Sequence, residues 1–369
     1  AVKSLAASRP ELQHEAREFD PDPMLLGLPD GQVLDLGDGS VRAITPADLI
    51  TRRLPVAPAS TESAEWLEFL ETTHPDQSEV VAFLKRWFGY CLTASVKEDK
   101  LLFFLGVGGA GKGTTVEPFS VLLGPYFYAI PIAMLLEDTG EDRRLNYIAN
   151  LRGARLAVCN EGSKMRKLDS RGIKALTGGG EITGRRLCHQ PASFVQTHKI
   201  LVLANDEPVL DLDDAMKQRV LIVRFDQKFR DTPRDKKGLR DFFKTPEQLA
   251  GILRWAIEGC REWQEKGLQP PEEVRNASSE YFQSADFFQQ FLDEHTELDM
   301  VGFVGTELLY RRWCMYVETN GLPWSSKGTS KTFVTDLKAR CPNIESGVRL
   351  NGVRGLRGIK IREQEKEKF

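Results

Sequence analysis

Long apolar runs are missing from this sequence. The longest, such as Leu101 to Val107 and Ile200 to Ala204, fall far short of the roughly 20 residues a membrane span needs. Cysteine is scarce as well. The six present (Cys91, Cys159, Cys188, Cys260, Cys314, Cys341) stand alone, with no C-x-x-C pair and no Cys/His cluster. That argues against structural zinc and fits a reduced cytoplasmic setting. The N-terminus lacks the basic-then-apolar pattern of an export signal. An excess of charge of either sign is also lacking: 50 Lys plus Arg against 53 Asp plus Glu leave −3. This excludes a uniformly basic protein that coats nucleic acid by bulk attraction. What remains is an ordinary globular composition over 369 residues, 41% hydrophobic and 28% charged, enough for two or three domains. The chain starts abruptly at Ala1, so a fragment of something longer is expected.

The near-neutral total is a cancellation. Residues 1–80 carry six bases against fifteen acids, whereas 163–199 carry eight against two and 321–369 eleven against five. The first segment has short apolar stretches broken by Pro, Gly and Asp, which predict small strands and turns. Asp20-Pro-Asp22 within it is read as a turn, since prolines flank both acids and no partner acids or histidine follow. After a Pro-rich boundary at 54–60, apolar residues at helical spacing from Trp66 to Phe88 predict a helical hairpin. From Leu101 the runs LLFFLGV, RLAVCN, KILVLAN and VLIVRF, separated by glycine loops and helical stretches, predict buried strands of an α/β sheet. Residues 246–266 read as an amphipathic helix. Three more helices are expected near 284–296, 305–319 and 329–340, before a Gly/Arg-rich ending that reads as a basic wing, with Arg349, Arg354, Arg357, Lys360 and Arg362. A winged-helix module is the reading there, a helical cap with a charged end the alternative.

Three elements carry chemistry. Gly106-Val-Gly108-Gly109-Ala110-Gly111-Lys112-Gly113-Thr114-Thr115 follows a strand and opens a helix, with the G-x-x-x-x-G-K spacing of a Walker A loop. Glycines let backbone N–H groups turn onto phosphates, the helix N-terminus adds its dipole, and Lys112 neutralises the β/γ charge of ATP. Ser or Thr usually follows the lysine to meet Mg²⁺. Here Gly113 does, so the metal must lean on a carboxylate, water and phosphate, or on Thr114. The second element, Arg155-Leu-Ala-Val-Cys-Asn160-Glu161, is an apolar strand ending in a carboxylate, a Walker B pattern in which Glu161 polarises the attacking water and helps hold Mg²⁺. Asn160 stands where many NTPases have Asp. The third, Ile200-Leu-Val-Leu-Ala-Asn205, places an amide at a strand tip, where it can sense γ-phosphate and water. Singly, these would be a glycine turn, a solvent-facing glutamate and a turn-forming asparagine. In this order they support one another.

The compact order of the three, with IKALTGGGEITGRRL before the third strand, KILVLANDEP through it and QRVLIVRF after it, resembles the superfamily 3 helicases. The likeness is to the phage/plasmid and poxvirus-type primase-helicases. The stretch DGQVLDLGDGSVRAITPADLITRRLPV resembles the domain in front of these helicases. The resemblance implies an α/β fold with an AAA+-like P-loop ATPase core (98–268). A small N-terminal domain (1–58) and a helical collar (59–97) would precede that core, and a winged-helix-like C-terminal domain (269–369) would follow it. It implies an ATP- and Mg²⁺-dependent, hexameric DNA helicase moving 3′ to 5′, bound to single-stranded and forked duplex DNA, with an upstream primase domain or protein as partner. Its setting would be the cytoplasm of a bacterial host. Arg219 matches the arginine that reaches into a neighbour's site, with Arg224 as fallback. Ile182–Leu187 and Ala192–Gln196 can pair as a hairpin, which in the family projects into the ring channel. Arg185, Arg186 and His189, with Lys174 beside them, are then the candidate contacts to the DNA backbone. Gly113 and Asn160 depart from the family pattern at the metal. The competing readings are a P-loop phosphotransferase with an arginine-rich lid and an initiator that uses ATP only as an assembly switch.

Overall fold

The computed structural model describes residues 18–160, 167–207, 210, 213–321 and 327–362, and the chain divides into two compact units, 1–282 and 283–369. The first unit opens with three short antiparallel strands, β1 (Leu25–Gly27), β2 (Gln32–Asp35) and β3 (Val41–Ala43). Asp22 caps a local turn, accepting from the Met24 amide at 2.8 Å, whereas Asp20 makes a long-range tie, accepting from the Thr51 amide at 2.9 Å. The expected helical hairpin follows as α1 (Ala64–Thr73) and α2 (Ser78–Leu92). Ser63 starts α1 by accepting from the Trp66 amide, satisfying one of the helix's orphan donors.

The chain then alternates. Strand β4 (Leu101–Leu105) leads to α3 (Lys112–Leu123), β5 (Phe127–Ile130), α4 (Glu141–Ala149) and β6 (Leu156–Asn160). Helix α5 (Ser170–Thr177) is followed by a hairpin of β7 (Glu181–Gly184) and β8 (Ala192–Val195), then by β9 (Lys199–Ala204), α6 (Asp214–Arg219) and β10 (Val220–Arg224). Five of these strands form a parallel sheet in the order β10-β4-β9-β6-β5. Its strands are continuous apolar runs because helices cover both faces of such a sheet; all of LLFFL and all of KILVLA are buried. The unit ends with α7 (Leu239–Phe242), α8 (Pro246–Lys266) and α9 (Glu272–Ser284). One apolar core joins these parts: Phe88 of α2 stacks on Phe119 of α3 at 3.9 Å, and Trp66 of α1 sits edge-on to Trp255 of α8. Each such buried aromatic contributes on the order of 2–3 kcal/mol.

Two cations counted in or next to the basic middle segment turn out to be interior. Lys199 is buried, donates to the carbonyl oxygens of Thr93, Ser95 and Thr197, and lies over the Tyr90 ring at 4.8 Å. Burial brings its ammonium down to about 7. Arg155 is likewise buried and donates to the Leu92 and Leu25 carbonyls, tying β1 and the end of α2 to the sheet. Lys199 therefore drops out of the charge offered to solvent by 163–199.

The second unit contains α10 (Phe287–His295), β11 (Thr296–Gly305), α11 (Thr306–Thr319), α12 (Ser330–Arg340), β12 (Glu345–Leu350) and β13 (Val353–Ile361). The strands form an antiparallel sheet in the order β11-β13-β12 around a core of Phe291, Trp313, Phe333 and Leu356. Asn351-Gly352, both at positive φ, close the β12–β13 hairpin in two residues. Of the five arginines and lysines read as a wing, Arg357 pairs with Glu345, Lys360 with Asp299 at 3.0 Å, and Arg362 donates to the Thr296 carbonyl. Arg349 and Arg354 flank the exposed hairpin tip.

Two buried histidines give the first unit a pH dependence. Burial lowers His74 and His198 to about 4 each from an ordinary 6.5. The unfolded chain takes up these protons first, so the folded state loses stability as pH falls from 6.5 towards 4, by up to roughly 3 kcal/mol per histidine. Urea midpoints measured from pH 7 to 4.5 should fall, and His198→Gln should flatten that fall whatever its effect at pH 7. Parallel curves for the two proteins would remove His198 from the account.

Candidate nucleotide site

The G-x-x-x-x-G-K loop lies between the C-terminal end of β4 and α3, at the sheet edge where parallel α/β folds place ligands. Gly109 and Gly111 have φ of 86° and 98°, which favour glycine, and a Cβ on either would strike Arg230 or Thr73 at 2.4 and 2.8 Å. Lys112 is the first residue of α3 and is buried. Its ammonium donates to the Gly106 carbonyl, to the Val107 carbonyl at 3.1 Å and to Asn205 Oδ1 at 3.0 Å. Burial pushes its pKa down.

Asn205 follows β9, which lies beside β4 in register: Leu105 pairs with Ala204, and the Gly106 amide donates to the Ala204 carbonyl at 3.2 Å. Adjacent parallel strands thus bring together two residues 93 positions apart. Asn160, on the next strand, ends β6 exposed at the same edge, opposite Leu203. Glu161 lies outside the described residues. Thr114 lines the cavity beside the loop, and its hydroxyl, a donor type that Mg²⁺ accepts, meets Arg240 Nε at 3.4 Å. Thr115 is buried and returns its hydroxyl to the Gly111 carbonyl at 3.1 Å. Gly108 is open, and Ala110 is buried.

Arg219 lies elsewhere. It ends α6 just before Val220, which pairs with Leu101 at the start of β4, so it occupies the edge of the sheet opposite the loop. Its side chain folds back to the Ala215 carbonyl at 3.1 Å. Arg224, at the other end of β10, faces Glu207 at 3.5 Å and Glu280 at 4.0 Å.

The hairpin forms, with a shorter stem than expected. The ladder runs from Glu181↔Val195 to Gly184↔Ala192, and the paired strand stops there instead of at Leu187. The reason is α4: Gly184 lies against Ala149, the Arg185 amide donates to the Leu145 carbonyl at 3.0 Å, and the Arg185 guanidinium pairs with Asp142. Arg186, Leu187, Cys188, His189 and Gln190 form an exposed tip. Lys174, on α5, pairs with Asp213 at 2.5 Å.

The sequence reading missed residues 228–242, which lie over the loop. The Phe229 amide donates to the Gly109 carbonyl at 3.0 Å, and Arg230, Arg234, Lys236, Lys237 and Arg240 line one cavity of about 670 Å³ with Gly109, Gly111 and Thr114. Six bases against three acids in 228–242 were the available signal.

Fold and loop together define an α/β protein with a P-loop-like core. Residues 1–75 match the family described as D5 N terminal like. The "Putative helicase L207/L206" of Acanthamoeba polyphaga mimivirus is 25% identical over 300 residues, 76% of this chain and 31% of that protein, so the chain spans under a third of its relative. Among solved structures, the A form apo structure of the NrS-1 C terminal region superimposes with a TM-score of 0.56 at 13% identity, over 98% of this chain and 91% of that one. The apo structure of NrS-1 residues 305–718 gives 0.55 at 14% identity, over 84% and 78%. These likenesses concern the fold. The chain is thus similar to the D5 N terminal like family over its first 75 residues and to a viral protein described as a putative helicase over 300.

Among the described residues no helix is long and apolar enough to cross a membrane.

Proposed function

We propose that this chain is the ATP-driven motor of a replicative DNA helicase of superfamily 3, assembling as a ring and moving on single-stranded DNA. The observation that carries the reading is the contact of Lys112 with Asn205, a phosphate-binding lysine against a polar strand tip. A glycine turn with a merely exposed lysine would not bury that ammonium. In this reading the loop amides and Lys112 hold the triphosphate, Glu161 takes the proton of the attacking water, and Asn205 orients that water against the γ-phosphate. Glu161 and Thr114 would help hold Mg²⁺, which would supply charge neutralisation at the phosphates.

Arg219 serves the neighbouring subunit's site. Its place on the far edge of the sheet suits it to no other triphosphate, and its side chain must unfold from α6 to reach one. The hairpin tip, through Arg186 and His189, grips the DNA backbone. Lys174 and Arg185 join when DNA phosphates displace Asp213 and Asp142. Residues 283–369 act as a winged-helix DNA-binding domain, with Arg349 and Arg354 at its tip.

The basic segment over the loop favours a second reading, a phosphotransferase with an arginine-rich lid. ATP hydrolysis measured with and without single-stranded oligonucleotide separates the two. The motor should be stimulated several-fold by DNA, and an unchanged rate would reject it. An initiator without motor activity would hydrolyse ATP but leave a forked duplex intact.

A further inference from the structure

Position 113 poses a question the P-loop reading does not answer. Glycine is a poor helix former, yet Gly113 is not at positive φ, so its backbone does not require glycine. What it provides is room. A Cβ at 113 would lie 2.9 Å from Arg240 Nη2 and 3.4 Å from its Cζ. The guanidinium is held there from two sides: Nη1 donates to Glu117 Oε1 at 2.8 Å, and Nε faces Thr114 Oγ1 at 3.4 Å. Glu117 and Thr114 both belong to α3, so Arg240 is fastened to the first turn and a half of the P-loop helix. It also lines the cavity that Gly109, Gly111 and Thr114 line.

We infer that Arg240 is a protein cation facing the nucleotide's phosphates from within the same subunit, and that glycine stands at 113 because any side chain there displaces it. The inference rests on the P-loop reading and adds a residue to it. A fixed fork of N–H donors suits phosphate oxygens, and a guanidinium at this turn carries part of the neutralisation that otherwise falls to Mg²⁺. Arg240 is about half exposed, so its effect should be modest and greatest where no metal shares the task.

The test is binding of a fluorescent ATP analogue to the full chain, in Mg²⁺ and in EDTA. Arg240→Ala should weaken binding roughly tenfold in EDTA and less in Mg²⁺. Gly113→Ser should do the same by displacing the arginine, and the double variant should be no weaker than either single one. Arg240→Lys should recover part of the loss. Gly113→Ala, a better helix former, repeats the test if the serine variant is poorly folded. Glu117→Gln frees the guanidinium but keeps its charge. It should cost less than Arg240→Ala, whereas a purely structural clamp would lose equally by either change and equally in both media. Unchanged binding by Arg240→Ala in EDTA, or losses that multiply in the double variant, would overturn the inference. Failure of the wild type to bind, or full binding by Lys112→Ala, would instead overturn the P-loop reading beneath it.

Discussion

Lys112→Ala should reduce ATP hydrolysis to background, a loss of at least about a hundredfold, read as phosphate release at saturating ATP. The argument is electrostatic. The Lys112 ammonium is buried among two carbonyls and an amide oxygen, none of which carries a full charge. That burial lowers its pKa, a cost that a phosphate chain would offset by supplying opposite charge. Alanine removes the charge and leaves three acceptors that can turn to water, so the fold should survive. Asn205→Ala is the matched comparison: it should keep nucleotide binding and lose turnover, as expected of an amide proposed to orient the attacking water. Hydrolysis at the wild-type rate by Lys112→Ala would mean that the loop is a structural turn.

The second large effect is expected at Arg219. Parallel register puts it before Val220↔Leu101, while its own loop begins after Arg224↔Leu105. The strand between them is five residues, roughly 16 Å of extended chain, beyond the reach of a side chain already folded onto α6. Arg219→Ala should therefore bind ATP normally and lose turnover by roughly 10³–10⁵-fold, the range for an arginine supplied in trans. Mixing Arg219→Ala with Glu161→Ala subunits should restore activity, because about a quarter of randomly assorted interfaces would then carry both native residues. No recovery on mixing, with each variant folded and able to assemble, would place Arg219 outside the site.

Much of this architecture was legible in the sequence, because the decisive features are local. A strand, a glycine loop and a helix announce the P-loop within a dozen residues, and strands buried on both faces announce themselves as unbroken apolar runs. Asn205 was legible as an amide at a strand tip, but its contact with Lys112 follows from β9 pairing with β4, a strand order that no local pattern announces. The illegible parts are those fixed by distant packing. Nothing near Gly113 in sequence points to Arg240, and nothing near Gly111 points to Thr73 or Phe69, which would crowd a Cβ there. Charge runs mislead for the same reason: Lys199 was counted with the exposed bases, although the carbonyls of Thr93 and Ser95 hold it inside. The hairpin shows both sides at once. Its alternation gave the two strands, but its length was set by Asp142 and Leu145 on a helix some forty residues earlier.

Assembly is the central claim of the proposal, which gives Arg219, on the far edge of the sheet from its own loop, a role in another copy's site. The most direct measurement is mass in solution, with a non-hydrolysable ATP analogue and a single-stranded oligonucleotide, alongside ATP turnover across a dilution series. The account predicts an assembly of about six copies of the 41.5 kDa chain, with turnover per subunit falling as dilution dissociates it. A monomer that hydrolyses ATP at an undiminished rate on dilution would contradict it.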